Sequence, residues 1–432
     1  MKIHLDLDCY FVSAERLRYP FLRDKPVVVA KGSDKSIFAN VKKEVKVISN
    51  GGCFSSSIQF RTSHHTTNIK EWKDYYIGED GYMYGTVITK SYEAKKYGIK
   101  TGTLLRDAFV LCPHLIVVPS DHSYYQDITI KLKDFLLKRI PLLEQYSIDE
   151  FFGDLGGWID EEDTFSFITN LQKEIMDTFG LPISIGASKS KWIAKLITDQ
   201  IKPYGVKVVK EEQIYDYTKN IAIDEFPGIG RTISKKLGSY YIETLAEARR
   251  RPMLFSAYGK TGNDLYKRIC GTDNEKVLPY ASRKGIGISR SFKGIVCRKE
   301  LKRRIVILSR YLSYSILRLD LRPTTFYFKL RYQIGYKSSC SITVNRLFNE
   351  KFFIELAQEQ FLKLDVYKNT KVHFLSMSVS NFEGAGNRKT LSVLDSVNDV
   401  KYRKLSEQLQ KIREKYGIDS IWYGSEGILS SS

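Results

Sequence analysis

Two short apolar runs that each end in carboxylates constrain this chain more than anything else in it. Near the N-terminus it reads MKIHLDLDCYFVSAE, and residues 146–154 read YSIDEFFGD. Both runs are strand-like, and ordinary solvated acids have little reason to gather there. Side chains alternate faces along a strand, so Asp6 and Asp8 share one face while Leu5 and Leu7 pack the other. Asp149 and Glu150 are neighbours, and they can serve one site only if the chain turns or bulges between them, a device common beside active sites. Three or four carboxylates held together repel and raise one another's pKa unless divalent cations neutralise them. A hard, all-oxygen set suits Mg²⁺ and the two-metal chemistry of phosphoryl and nucleotidyl transfer. The competing reading is a pair of solvated turns. It accounts for either run alone and loses ground against the rest of the chain.

The chain has 432 residues and a net charge of +19. That length suits about three or four domains, and the charge points to a polyanionic partner, usually nucleic acid. A basic membrane-surface protein is the rival. Against it, no apolar run approaches ~18 residues and acids begin at Asp6, so neither a membrane span nor a signal peptide is expected. Cysteines at 9, 53, 112, 270, 297 and 340 lie scattered without a CxxC pair. Neither a zinc site nor a disulfide framework is indicated, which fits a reducing cytosol.

After the first strand, PVVVA (26–30) is a second β-type run, and residues 32 to about 84 lose clear period. From 86 to 102 the pattern is strand, then a helix with lysines outward, then a glycine turn. Residues 123–143 read as a long amphipathic helix leading into a YSIDE strand. A helix at 164–179 precedes the strand LPISIGAS, and SKSKWIAKLITDQIKP makes another amphipathic helix stopped by Pro203. Alternating units with acids at strand ends suggest an α+β catalytic layer. FPGIGRTISKKLG (226–238) fits a helix-hairpin-helix. Its turn, Gly228 to Gly230, with Arg231 and Lys235 following, would offer N–H groups and charge to a DNA phosphate without reading bases. A plain αα-hairpin is the alternative. Basic runs at 249–251 and 298–304 precede strands at 324–334 and 371–383, a second small α+β domain with one basic, solvent-facing side.

LDLDCYF, KSYEAKKYGIKTG, YSIDEFFGD, ISIGASKSKWIAK with its later IKP, and FPGIG follow one another along the chain. In these segments and their order, the chain resembles the Y-family translesion DNA polymerases of the DNA polymerase IV-like class over nearly its whole length. The resemblance implies a right-hand polymerase of α+β class. Its ferredoxin-like palm would take 1–10 and 121–213, and small fingers 11–120 with an insertion at about 32–84. A helical thumb with the helix-hairpin-helix would take 214–274, a linker 275–284, an α+β little finger 285–384 and a C-terminal tail 385–432. It implies template-directed, error-tolerant synthesis from a dNTP on primer-template DNA, by a cytoplasmic monomer without proofreading and without a membrane. Asp6, Asp149 and Glu150 fall on the catalytic, metal-binding carboxylates, with the Leu7 carbonyl as a further ligand for two Mg²⁺ ions. At Asp8 a ligand and a structural hydrogen-bonding role both stay open. Thr89, Tyr92, Lys95 and Lys202 fall on positions that hold the triphosphate. Lys95 stands where many relatives carry arginine, keeping the charge but losing the bidentate fork. Cys9 and Tyr10 would offer backbone N–H groups to the phosphates, and Phe11 falls on the steric gate that excludes a 2′-hydroxyl.

Relatives join the PVVV strand to the fingers by a short loop, whereas this chain inserts roughly 40 residues between Lys31 and Gly85, a length uncommon without a function. The segment could cover the nascent base pair, bind a partner or stay partly disordered, and as an insertion it need not carry the core. His64-His65 lacks the companion ligands of a metal site. In the tail, TLSVLD (390–395) resembles a degraded sliding-clamp box, or is an ordinary apolar turn. Two other readings remain: a nucleotidyl cyclase-like enzyme on the same palm, and a catalytically silent DNA-binding or scaffold member of the family.

Overall fold

The odd and even residues of the first strand go to different layers, and this fixes where the acids end up. The computed structural model describes residues 1–32, 35–38, 45–47, 58–60, 68–77, 81–279, 283–382 and 393–427. β1 (Lys2–Leu7) is the middle strand of a sheet completed by β7 (Leu142–Gln145), β8 (Glu150–Asp154), β9 (Ile183–Ser188) and β10 (Val206–Val208). The order is β10-β9-β1-β8-β7, antiparallel except for the β9–β10 pair. Ile3, Leu5 and Leu7 share a core with Leu132 and Leu136 of α6 (His122–Leu137) and Leu171 of α7 (Thr164–Phe179). α8 (Lys191–Ile201) lies against β9 and β1, with Thr198 Oγ1 donating to the carbonyl of His4 at 3.1 Å. Gly186 makes this close approach possible: a Cβ there would meet the Ala194 carbonyl oxygen at 2.5 Å. The Gly186 N–H donates to Thr198 Oγ1 at 3.0 Å.

β2 (Val27–Lys31), β5 (Thr86–Lys90) and β6 (Ile116–Pro119) form a small sheet in the order β5-β2-β6. α1 (Tyr10–Arg18), α4 (Tyr92–Lys96) and α5 (Leu105–Leu111) accompany it, within the stretch expected for the fingers. Five short helices make the thumb around Phe226, Leu237, Leu245, Phe255 and Ile269: α9 (Ile214–Thr218), α10 (Arg231–Gly238), α11 (Leu245–Arg249), α12 (Pro252–Ser256) and α13 (Gly259–Cys270). The last sheet joins β11 (Gly285–Ile295), β12 (Pro323–Tyr332), β13 (Lys337–Thr343) and β14 (Val372–Phe382) in the order β11-β14-β12-β13. Phe326, Phe328, Leu330, Met377 and Val379 alternate inward onto α14 (Arg298–Arg318) and α15 (Glu350–Leu364), the period-2 pattern of a half-buried sheet.

Several expectations need correction. Residues 123–143 are not one helix: α6 stops at Leu137, β7 follows, and YSID is the turn of a β7–β8 hairpin rather than a strand. The N–H groups of Tyr146 and Ser147 both reach the Glu150 carbonyl, at 3.0 and 3.2 Å. The element before the FPGIG turn is a single 3-10 turn, Ile223–Glu225, in place of a helix. The outer face of the last sheet is mostly hydroxyl, with Ser339, Ser341, Ser376 and Ser378 beside Lys329 and Arg331, so it is less basic than expected.

The C-terminal stretch is no tail. α16 (Val393–Tyr416) packs on α14 and α15. The buried pairs Arg413–Glu350 and Arg310–Glu426 bind its end to them. The inserted segment is not outside the core either. Trp72 of α3 (Ile69–Asp74) is 1% exposed among Tyr19 and Phe21, and Tyr76 donates to the Ala30 carbonyl at 2.8 Å. His64 and His65 lie outside the described residues, as do Thr390 to Ser392 of the TLSVLD run, whose remainder opens α16. Among the described residues no helix is long and apolar enough to cross a membrane, and the described cysteines are free.

Candidate active site

Register brings the acids together. Asp6 on β1 lies directly opposite Glu150 on β8, so the two side chains share a face with Cβ atoms about 5 Å apart. Asp149 ends the preceding turn, and its carbonyl accepts the Leu7 N–H at 3.1 Å. The turn that two neighbouring acids required is therefore present. Ser147 shapes it: its Oγ donates to Asp149 Oδ1 and accepts the N–H of Glu150 at 3.1 Å.

α8 and the residue that follows it set lysines against Asp6 and Glu150, and against Glu144 on β7. Lys202 Nζ sits 2.6 Å from Asp6 Oδ2, Lys195 Nζ 2.8 Å from Glu150 Oε1, and Lys191 Nζ 2.6 Å from Glu144 Oε2. Burial pushes the Asp6 carboxyl well above its usual value. Lys202 opposes that shift, while Asp149 and Glu150 add to it. Asp149 is likewise raised by burial, against the hydrogen bond from Ser147. Glu150 is also penalised by burial, yet its neighbours His4 and Lys195 more than offset this and hold it below the usual range. Burial lowers the His4 imidazole to about 4. It lies 3.9 Å from Glu150 Oε2, while Lys195 stands 2.8 Å from Oε1.

Three acidic oxygen donors that repel one another in a buried place fit a hard divalent cation. As the side chains stand, no group of three or more His, Cys, Asp or Glu residues among those described is gathered closely enough to hold one. Lys202 and Lys195 hold the oxygens a cation would need.

Asp8 settles between its two open roles. Its carboxylate accepts from Ser184 Oγ at 3.1 and 3.0 Å, from the Tyr204 N–H at 2.7 Å and from the Tyr92 hydroxyl at 3.2 Å. At 1% exposure it is a structural hub that ties the fingers to β9 and to the turn after Lys202. Cys9 adopts φ 47°, turning the chain from β1 into α1. The Tyr10 hydroxyl is bonded to the Tyr125 carbonyl and to Thr129. Phe11 is half-buried and stacked on Tyr125 at 4.4 Å, with the His122 ring at its edge. Thr89 and Tyr92 are half-buried on β5 and α4, and Lys95 is exposed one turn beyond. Gly228, Gly230, Arg231 and Lys235 are exposed, at the turn after Phe226 and along the first turns of α10. There Pro227 and Gly228 (φ 98°) occupy the two central positions of a turn closed by the Ile229 N–H on the Phe226 carbonyl at 3.0 Å, as a type II turn requires.

Sequence reasoning missed Lys195, Ser147 and Tyr125. The signal for Lys195 was present: it follows Lys191 by four residues, which puts both on one face of α8. Ser147 and Tyr125 carried no comparable signal, since their roles depend on the turn and on ring packing.

The impB/mucB/samB family model matches residues 5–51 and 64–199, skipping part of the inserted segment. DNA polymerase IV of Shewanella frigidimarina is 28% identical over 66% of this chain and 67% of its own length. That of Alkaliphilus oremlandii is 28% identical over 78% and 88% respectively. Among solved structures, a Dbh–Dpo4 Y-family DNA polymerase chimera aligns at TM-score 0.68 and 20% identity, over 88% of this chain and 98% of that one. The insertion ternary complex of Dbh DNA polymerase aligns at TM-score 0.56 over the same shares, also at 20% identity. The chain thus carries an impB/mucB/samB domain within residues 5–199, is similar in sequence to curated DNA polymerase IV proteins, and shares its fold with Y-family DNA polymerase structures.

Proposed function

We propose that this protein is a DNA-directed DNA polymerase that extends a primer 3′-hydroxyl from a dNTP, tolerating damaged templates and lacking proofreading. The observation that carries the reading is the Asp6–Glu150 pairing across β1 and β8 with Asp149 at the adjoining turn. Held by those three carboxylates and the Leu7 carbonyl, two Mg²⁺ ions would supply an activated primer hydroxyl and charge balance at the α-phosphate.

The remaining work falls to side chains. Lys202 leaves Asp6 for the triphosphate, so one ammonium serves first as counter-ion to the acid and then as anchor for the nucleotide. Thr89, Tyr92 and Lys95 add hydroxyl donors and charge on the fingers side, which a polyphosphate requires. Phe11, held flat by Tyr125, stands where the sugar passes and excludes a 2′-hydroxyl by overlap. Backbone N–H groups at Gly228 and Gly230, with Arg231 and Lys235, grip DNA phosphates, and the hydroxyl-lined outer face of the last sheet offers further sequence-neutral contacts. A cyclase has no use for these thumb and little-finger surfaces.

Primer extension tests the reading. Asp149→Asn or Glu150→Gln should abolish extension while duplex binding persists, because affinity comes from lysines and arginines elsewhere. Wild-type extension by either variant would overturn the site. A wild-type protein that binds duplex and extends no primer with Mg²⁺ present would instead be the silent scaffold.

A further inference from the structure

The inserted segment leaves the fingers at Lys31 and returns to them at α3, yet two of its buried residues sit in another domain. α2 (Lys35–Phe38) lies against α14 of the little finger, and Ile37 and Phe38 are 1% and 6% exposed within the little-finger core. The Phe38 carbonyl accepts two hydrogen bonds from the Arg303 guanidinium, at 2.6 and 3.2 Å, and Arg303 itself is 7% exposed. The Phe38 ring meets Phe292 of β11 edge-on at 5.9 Å, and the Arg304 guanidinium lies over both rings at 4.4 and 4.6 Å. Two further strands, β3 (Val45–Val47) and β4 (Ile58–Phe60), pair with each other. Val47 packs on the same little-finger core, and β4 runs beside α6 of the palm. The returning chain is anchored by Trp72 and Tyr76.

We propose that this segment is an internal clasp. Its receiving surface is the pocket between β11 and α14, its occupant is the Ile37–Phe38 pair of the same chain, and its effect is to hold the little finger against the catalytic body. Apart from it, the start of the linker is pinned to the palm by the Leu278 N–H on Glu144 Oε2 at 2.8 Å. A buried guanidinium directed at one backbone carbonyl is a specific latch, since leaving that donor unpaired in the interior is costly. Apolar burial of Ile37 and Phe38 supplies the attraction.

The test uses the full chain without DNA, so its outcome is independent of the polymerase reading. Dyes on unnatural amino acids at Lys100 of the fingers and Leu362 of the little finger, both exposed, report the separation of the two bodies. Wild type should give one narrow transfer population. The double variant Ile37→Ala, Phe38→Ala should give a broadened population shifted to longer distance, with a larger radius of gyration by X-ray scattering. Arg304→Ala, which leaves the inserted sequence intact, should shift the same way by less. Identical transfer populations and radii in wild type and both variants, with melting profiles showing every domain folded, would overturn the clasp.

Discussion

Replacing Arg413 by methionine tests whether the C-terminal helix is part of the little finger. Arg413 Nη1 and Nη2 reach Glu350 Oε2 and Oε1 at 2.6 and 3.1 Å, and both side chains are about 1% exposed. Methionine fills much of the volume and removes the charge, leaving a buried carboxylate without its cation. Removing one member of a buried pair costs about 3–5 kcal/mol. Thermal unfolding of Arg413→Met should therefore show a loss of about 3–5 kcal/mol at pH 7. Adding Glu350→Gln should recover much of the loss, because no buried charge remains. A loss under ~1 kcal/mol, or no recovery in the double variant, would refute the argument.

Phe11→Ala should lower the ratio of kcat/KM for deoxynucleotides over ribonucleotides at least about tenfold, since exclusion by overlap exceeds the ~1–3 kcal/mol of one methylene contact; an unchanged ratio would reassign the gate. Affinity for duplex DNA should fall steeply across a salt series and show little sequence preference, because counterion release from phosphates drives it; a flat response would contradict the +19 charge as the source of affinity. Glu15, 1% exposed and bonded to Tyr125, has its carboxyl raised to about 7 by burial, with Arg18 opposing. The fold therefore holds a proton there that the unfolded chain releases above about 4.3, so this contribution is present below that pH and is lost as pH rises through about 7. Glu15→Gln should raise the melting temperature relative to wild type at pH 8 and hardly at pH 4. Trp72→Ala should cost about 3–5 kcal/mol by equilibrium unfolding, whereas a negligible cost would return the inserted segment to the surface.

The acids, the strand carrying Asp6 and α8 were legible because each rests on local period and on types of residue. The pairing of Asp6 with Glu150 was not, since register depends on partners far along the chain. YSIDE reads as apolar and extended, and only the two hydrogen bonds onto the Glu150 carbonyl reveal a hairpin turn. The C-terminal stretch misled because its polar composition looks solvated. Arg413 and Glu350 are 63 positions apart and become interior only as a pair. Asp8 illustrates the same limit: its place in the first motif left a ligand and a structural role both open, while Ser184, Tyr204 and Tyr92, which occupy it, come from three distant segments.

The contact between Lys202 and Asp6 couples two binding events that would otherwise be separate. On the proposed function, a cation that takes the Asp6 oxygen would displace an ammonium and leave it free for an arriving phosphate. An anion that draws Lys202 away uncovers the oxygen for the cation. Linkage makes the two effects equal, so whatever factor the cation contributes to nucleotide affinity, the nucleotide returns to cation affinity. On the proposed function, the site would work as an ion exchanger with one shared counter-ion, in which half-loading is disfavoured and the complete set enters together.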